Sequence, residues 1–151
     1  MADTQRQDPL PVFCFHVAIP DRGAVAFFKS VSGLKYETEV IPVKEGGNNQ
    51  TVYQLIGGVK WSNIILKQGF TKDSAASGLL AWREQWLAER GGARADGTIT
   101  ILDSALRPQV KWKWTRGFPV KWELSELDAS KSELAIETIE IAHEGLTVEK
   151  V

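Results

Sequence analysis

Apolar and polar residues exchange places at every second position along several stretches of this chain, and no other feature restricts its fold so tightly. Between residues 12 and 19, Phe13, Phe15, Val17 and Ile19 fall on one side while Cys14, His16 and Ala18 fall on the other. A period of two places alternate side chains on opposite faces of an extended strand. The same pattern returns at residues 34–41, where Lys35, Glu37 and Glu39 take the polar side, and at residues 98–103. At residues 110–115, Val110, Trp112 and Trp114 alternate with Lys111, Lys113 and Thr115. All read as strands, the last two as half-buried ones. Residues 118–124 continue the pattern around Pro119, which cannot donate to a ladder and is expected at an edge or a strand start, as a boundary. Residues 61–67 read as a further strand closed by Gly69, residues 24–31 as a short apolar piece, and Ile56-Gly57-Gly58 as a break.

One segment changes period. Asp73 or Ser74 is placed to cap a helix over about residues 73–90, with Leu79, Trp82 and Trp86 on one stripe and Arg83, Gln85 and Glu89 outside it. Gly91-Gly92 supplies the left-handed conformations that end a helix. Residues 132–143 are open to two readings. Glu133, Glu137 and Glu140 have helical spacing, whereas Ile136, Thr138, Ile139 and Ile141 are β-branched and suit a strand covered on both faces.

The chain has 151 residues, enough for one domain over 1–151 with a self-standing core, and residues 1–11 form a flexible N-terminal segment. That segment is polar and carries Asp3, Arg6 and Asp8, so it reads as neither a signal peptide nor a membrane anchor. The expectation is synthesis and assembly in the cytoplasm. A net charge of −1 creates no general attraction to nucleic acid or an anionic membrane. The single Cys14 excludes an internal disulfide framework, and its place between Phe13 and Phe15 makes it a small buried strand residue rather than a nucleophile.

The run Glu45-Gly46-Gly47-Asn48-Asn49 lies between two strand patterns and has the backbone freedom of a hairpin tip built for contact. A phosphate-binding loop would pass into a helix N-terminus, but this run leads into Thr51-Val52-Tyr53-Gln54-Leu55, a β pattern. Catalytic chemistry finds no support. His16 and His143 are the only histidines, and both read as structural or interfacial. His143 and Glu144 are neighbours on a strand and point to opposite faces, so they do not make a base with its orienting carboxylate. One cysteine and two distant histidines assemble no zinc site, and no cofactor or metal is implied. The tryptophans and lysines of residues 111–114 fall on opposite faces, which argues for a core rather than a nucleic-acid stacking platform. What survives is a strand-rich chain with edges that invite assembly.

These segments, taken in order, resemble the tail tube proteins of contractile phages and phage-tail-like contractile injection systems. Val31-Ser32-Gly33-Leu34 followed by Glu37 and Glu39 resembles the early signature, and Glu45 to Asn49 the arm loop. Asn63-Ile64, Leu66-Lys67 and Gly69 resemble the strand after the arm; Leu79 and Trp82 the helix; Leu102-Asp103 the next turn; and Pro119-Val120-Lys121-Trp122 the block beyond it. Ala135-Ile136-Glu137, Ile139-Glu140 and Ala142-His143-Glu144-Gly145-Leu146 resemble the closing segment. The likeness covers about residues 12–147, departing at Ile56-Gly57-Gly58, where a Leu-Pro-Gly turn is expected, and at Gly91-Gly92-Ala93, a longer loop after the helix.

The resemblance implies a mainly β fold: two packed antiparallel sheets forming a tail-tube-type β-barrel with one flanking α-helix, similar to the type VI secretion tube protein, and a strand for the last element. It implies a structural subunit, not an enzyme, assembling as stacked hexameric rings. The rings surround a lumen for DNA or effector cargo, inside a sheath protein and above spike hub or baseplate proteins. The particle would be a phage tail or a secreted contractile particle, made in the bacterial cytoplasm. Glu45, Gly46, Gly47, Asn48 and Asn49 would be an arm to another subunit or ring, and Lys35, Glu37 and Glu39 would be lumen-facing charges. A tube-initiating or adaptor paralogue is the alternative within the same assembly; a small β-barrel module binding glycan or single-stranded nucleic acid is the alternative of another class.

Overall fold

The computed structural model describes residues 10, 12–20, 24–47, 50–70, 79–89, 94–130 and 134–150. Among them the alternating stretches become β1 (Cys14–Ile19), β2 (Ala24–Phe28), β3 (Ser30–Ser32), β4 (Tyr36–Lys44), β5 (Val52–Trp61) and β6 (Ile64–Gly69). After these come the helix α1 (Leu79–Ala88) and β7 (Ala95–Leu102), β8 (Pro108–Leu124), β9 (Ile136–Ala142) and β10 (Gly145–Glu149). All pairings are antiparallel. Among the described residues the fold is mainly β with two antiparallel sheets and one helix, as expected, and the sheets do not close into a barrel by pairing of β2 with β3.

A single strand belongs to both sheets. The first part of β8 pairs with β7 and β10, and its second part, from Phe118 onward, pairs with β9. One sheet therefore runs β2-β1-β7-β8-β10 and the other β8-β9-β6-β3. The change of sheet falls at Arg116, whose φ of 48° is unusual for a residue other than glycine. Its N–H donates to Asp96 Oδ1 at 2.8 Å, so a side chain across the ladder holds the bend. At the far end of the strand order the chain itself bridges the sheets. Only Lys29 separates β2 from β3, and its N–H donates to the Lys67 carbonyl at 3.1 Å.

Between the sheets lies one apolar core. Val17, Ile19, Phe28 and Ile99 come from one side and Ile64, Leu66, Ile139 and Ile141 from the other, while Leu79 and Trp82 of α1 close an open flank. Trp114 is fully buried among them, just before the bend. Its Nε1 donates to the Ala95 carbonyl at 3.1 Å, and its ring lies 6.5 Å from that of Trp82. Two glycines make its slot. A Cβ on Gly97 would fall 1.9 Å from the Trp114 ring, and one on Gly117 would fall 2.4 Å from Trp114 Nε1. The lysines face the other way, as alternation predicts: Lys111 Nζ lies 3.9 Å from Glu149 and Lys113 Nζ 3.8 Å from Asp96.

Four expectations change. Ile56-Gly57-Gly58 does not break the chain, because β5 runs through it; the register with β4 shifts between Thr38 and Val40, and Gly57 packs against the Glu39 backbone there. Trp61 ends β5 rather than opening the next strand, which starts at Ile64. Pro119 is not a boundary but lies inside β8, at a register shift against β9 on a part of β8 that has no other neighbour, so its missing N–H costs no ladder bond. Cys14 is half-buried, and Phe13 precedes β1 and is exposed, since the covered face begins at Phe15.

The final segment is a strand, as the resemblance implied. Glu137 faces the core, where Oε1 accepts from Trp122 Nε1 and Oε2 from Gln68 Nε2, both at 2.8 Å. The helix stripe is also as expected for Leu79 and Trp82, which are buried, and for Trp86, which stacks on Phe118; Arg83, expected outside it, instead lies over the Trp122 ring. Its proposed start at Asp73 or Ser74, its Gly91-Gly92 stop and, apart from residue 10, the expected flexible segment 1–11 lie outside the described residues. Gly97→Val should drive a side chain into the Trp114 ring and lower stability by about 3 kcal/mol, read from the urea midpoint at constant m-value.

Candidate assembly site

β4 and β5 leave the two sheets and pair only with each other. Every residue of β4 is exposed, and in β5 only Gly57 and Trp61 are partly covered. This would be ordinary for a polar hairpin, but the strands are apolar. Val40 lies opposite Ile56, Ile41 opposite Leu55, and Val43 opposite Tyr53. Directly paired residues share a face, and Val40 and Ile41 are adjacent, so the arm presents apolar side chains on both faces. Ile56 retains 86% of its surface in water. A two-stranded ribbon is marginal by itself, and strands apolar on both faces are ordinarily covered on both.

The expected contact run sits at the far end of this ribbon. Glu45, Gly46 and Gly47 form its exposed turn, Gly47 takes a φ of 91°, and a Cβ on either glycine would meet nothing within 4 Å. Asn48 and Asn49 lie outside the described residues. Lys35, Glu37 and Glu39 are placed at the opposite end. Lys35 precedes β4, Glu37 lies opposite Lys60, and Glu39 sits at the register shift beside Gly57. Lys35, Glu37 and Lys60 line an open hollow that reaches Glu140 of β9. The structure thus divides the predicted residues between tip and root. Sequence reasoning missed the apolar shaft between them, although Val40-Ile41 and Leu55-Ile56 carried a signal as adjacent apolar residues in a strand.

The root is closely fitted. Gly33 has a φ of 86°, and a Cβ on it would lie 1.9 Å from the Asn63 carbonyl oxygen, so only glycine lets the chain enter the arm here. Ser62 N–H donates to the Lys35 carbonyl at 3.1 Å. Trp61 packs between Tyr36, at 5.2 Å, and His143, at 5.8 Å, measured between ring centres. His143 and Glu144 lie in the turn between β9 and β10 rather than on a strand, and the Glu144 carboxylate meets Arg94 and Arg116 at 3.1 and 3.2 Å.

Elsewhere the polar groups serve structure. Asp103 organises the turn between β7 and β8: Oδ1 accepts from the N–H groups of Ala105 and Arg107, each at 2.9 Å. Those bonds, led by that from Arg107, hold its carboxyl below the usual range. Trp82 and Trp114 are buried and the other four tryptophans are partly covered, with Trp86 and Trp122 at an open hollow beside Arg83 and Lys121. Among the described residues, no group of three His, Cys, Asp or Glu is placed to hold a metal ion.

The sequence matches the family model of the T4-like virus tail tube protein gp19 over residues 11–147. The chain belongs to that family. Solved structures share the tail tube fold. A chain of the anti-feeding prophage (AFP) baseplate is 22% identical, with 97% of each chain covered and a TM-score of 0.78. A chain of the PVC sheath-tube complex, an extracellular contractile injection system in its extended state, is 23% identical, with 95% of this chain and 93% of that one covered and a TM-score of 0.76. Hcp1 from Flavobacterium johnsoniae is 15% identical, covers 90% of this chain and 94% of its own, and has a TM-score of 0.51. Comparison with curated proteins finds no match. A tail tube protein is a structural component.

On β1 of this tail tube fold, burial and then the nearby Lys111 hold His16 below the ordinary imidazole pKa, and its ring lies 5.1 Å from that of Phe27. A depressed histidine favours the neutral folded form, so stability is fully present above the unfolded pKa and falls as the unfolded chain gains its proton below about pH 6.5. His16→Gln should therefore lose less stability than the parent between pH 7.5 and 5.5, measured by urea midpoints.

Proposed function

We propose that the chain is the repeating subunit of the inner tube of a contractile tail or injection system. Hexameric rings stack around a lumen that conducts DNA or effector cargo, within a sheath and on a baseplate or spike hub. The observation that carries this is the arm: a ribbon apolar on both faces and unpaired along both outer edges, on a fold of the tail tube family. Such a surface is liable to aggregate unless another chain covers it, and closed rings of identical subunits cover such edges without leaving new ones. The PVC sheath-tube complex and the AFP baseplate, which contain chains of this fold, support the sheath and baseplate as partners.

In this assembly the run from Glu45 to Asn49 meets a neighbouring subunit or ring, where the glycines allow the tip to conform. Lys35, Glu37 and Glu39 face the lumen, and their mixed signs let cargo pass without strong adhesion. The purified protein should form hollow stacks of sixfold rings by electron microscopy. Deletion of Gly46 to Asn49 should leave a folded subunit that no longer stacks, and long tubes from the deleted protein would refute the arm's role. Single rings without stacks would instead assign the chain to the adaptor that joins tube to hub; the anti-feeding prophage tube-terminating cap also contains a chain of this fold, 23% identical with a TM-score of 0.77. For the lumen, cysteines substituted singly at Lys35, Glu37 and Glu39 in a Cys14→Ser background should react with a bulky maleimide in free subunits and be protected in tubes. Equal labelling in both forms would place these residues outside it.

A further inference from the structure

The arm has no ladder partner outside itself, so its angle to the core is set at its root. His143 occupies that root from the core side. Its Nδ1 lies 3.1 Å from the Gly145 carbonyl oxygen, and its Nε2 lies 3.0 Å from the Ser62 carbonyl oxygen, at the exit of the arm. Both nitrogens thus face acceptors. A neutral imidazole has one N–H and can satisfy one of the two oxygens, presenting its lone pair to the other; an imidazolium donates to both. The ring also packs at a tilt of 57° against Trp61, the last residue of β5.

We infer that His143 is the pin that fixes the arm to the core, and that its protonation closes the pin. In the neutral ring the bond to Gly145 and the bond to Ser62 compete for one proton, and when Gly145 holds it the arm is released from its hydrogen-bonded anchor on this side. In the cation both bonds form, one within the β9–β10 turn and one across to the arm. The arm is then fixed at the angle seen here. His143 is a positioning residue acting on the arm through Ser62 and Trp61.

The other titratable groups around the root are carboxylates, amines, guanidinium groups and one phenol. From the arm side these are Lys35, Glu37 and Lys60, with the Tyr36 phenol beyond Trp61. From the core side they are Glu140 of β9 and Glu144, the latter occupied by Arg94 and Arg116. Ordinary carboxylates, amines, guanidinium groups and phenols keep one charge state between about pH 5.5 and 8, while an imidazole does not. The direction follows: the arm is held more firmly as pH falls. The inference concerns the hinge of the chain itself and stands whether or not rings form.

Nitroxide labels on Lys44→Cys, near the arm tip, and Ser104→Cys, in the β7–β8 turn, placed in a full-length Cys14→Ser chain diluted with unlabelled protein, report the arm angle as an electron–electron distance distribution. Going from pH 8 to 5.5 should narrow the distribution and reduce the open-arm population about tenfold, the effect of one added hydrogen bond from a charged donor. His143→Gln, with one donor nitrogen whose protons do not change with pH, and His143→Phe, with a ring for Trp61 but no N–H, should show no such change, and Phe should give the broader distribution. A parent distribution unchanged by pH, or the same narrowing in either variant, overturns the inference. The measurement is distinct from tube formation, so failure to stack does not decide it.

Discussion

The fold depends on one large side chain finding a place at the point where a strand changes sheets. Trp114 needs a flat slot beside its own backbone, and Gly97 and Gly117 supply it from two directions. Its indole N–H is satisfied inside the core by the Ala95 carbonyl, so burial leaves no polar group unpaired. With the ring seated, the chain bends at Arg116 and β8 continues into the second sheet. The other core residues pack on either side of this junction. Were the slot filled, the bend, the inter-sheet spacing and the seat of α1 would all have to move.

Period-two patterning was enough to read most strands, because each has one face on the core and one in water. It identified the inward tryptophans and outward lysines of β8 before any partner strand was known. Local patterns failed where pairing overrode propensity. Gly57 and Gly58 looked like a break, yet the ladder to β4 carries β5 through them at a shifted register. Pro119 looked like a boundary, yet a free strand edge accommodates it. In β9 the spacing of Glu137 and Glu140 suggested helix, whereas the bonds of Glu137 run to Trp122 and Gln68, remote in sequence and invisible to local spacing. There the family likeness, not the residue pattern, pointed to the strand.

The candidate site was legible in part for the same reason. Glycines at 46 and 47 announce a turn with wide backbone freedom, which one sequence can show. The apolar shaft behind it is meaningful only once β4 and β5 are seen to stand away from the core. In a sequence, Ile41 and Leu55 look like core residues, and the structure leaves them in water. Composition does not separate the two groups, since the residues that hold the core together and those that the arm leaves in water have the same chemistry.

Sharing β8 between two sheets also has a mechanical consequence. A force along this strand is resisted by the ladders to β7, β10 and β9 in parallel, because its hydrogen bonds run across the pull and share the load. A force that peels β3 or β2 from an edge meets those bonds one after another. The subunit is therefore stiff in one direction and yielding in another, and the same bend at Arg116 that lets one strand serve two sheets carries stress between them. Anisotropy of this kind follows here from a single strand shared by two sheets.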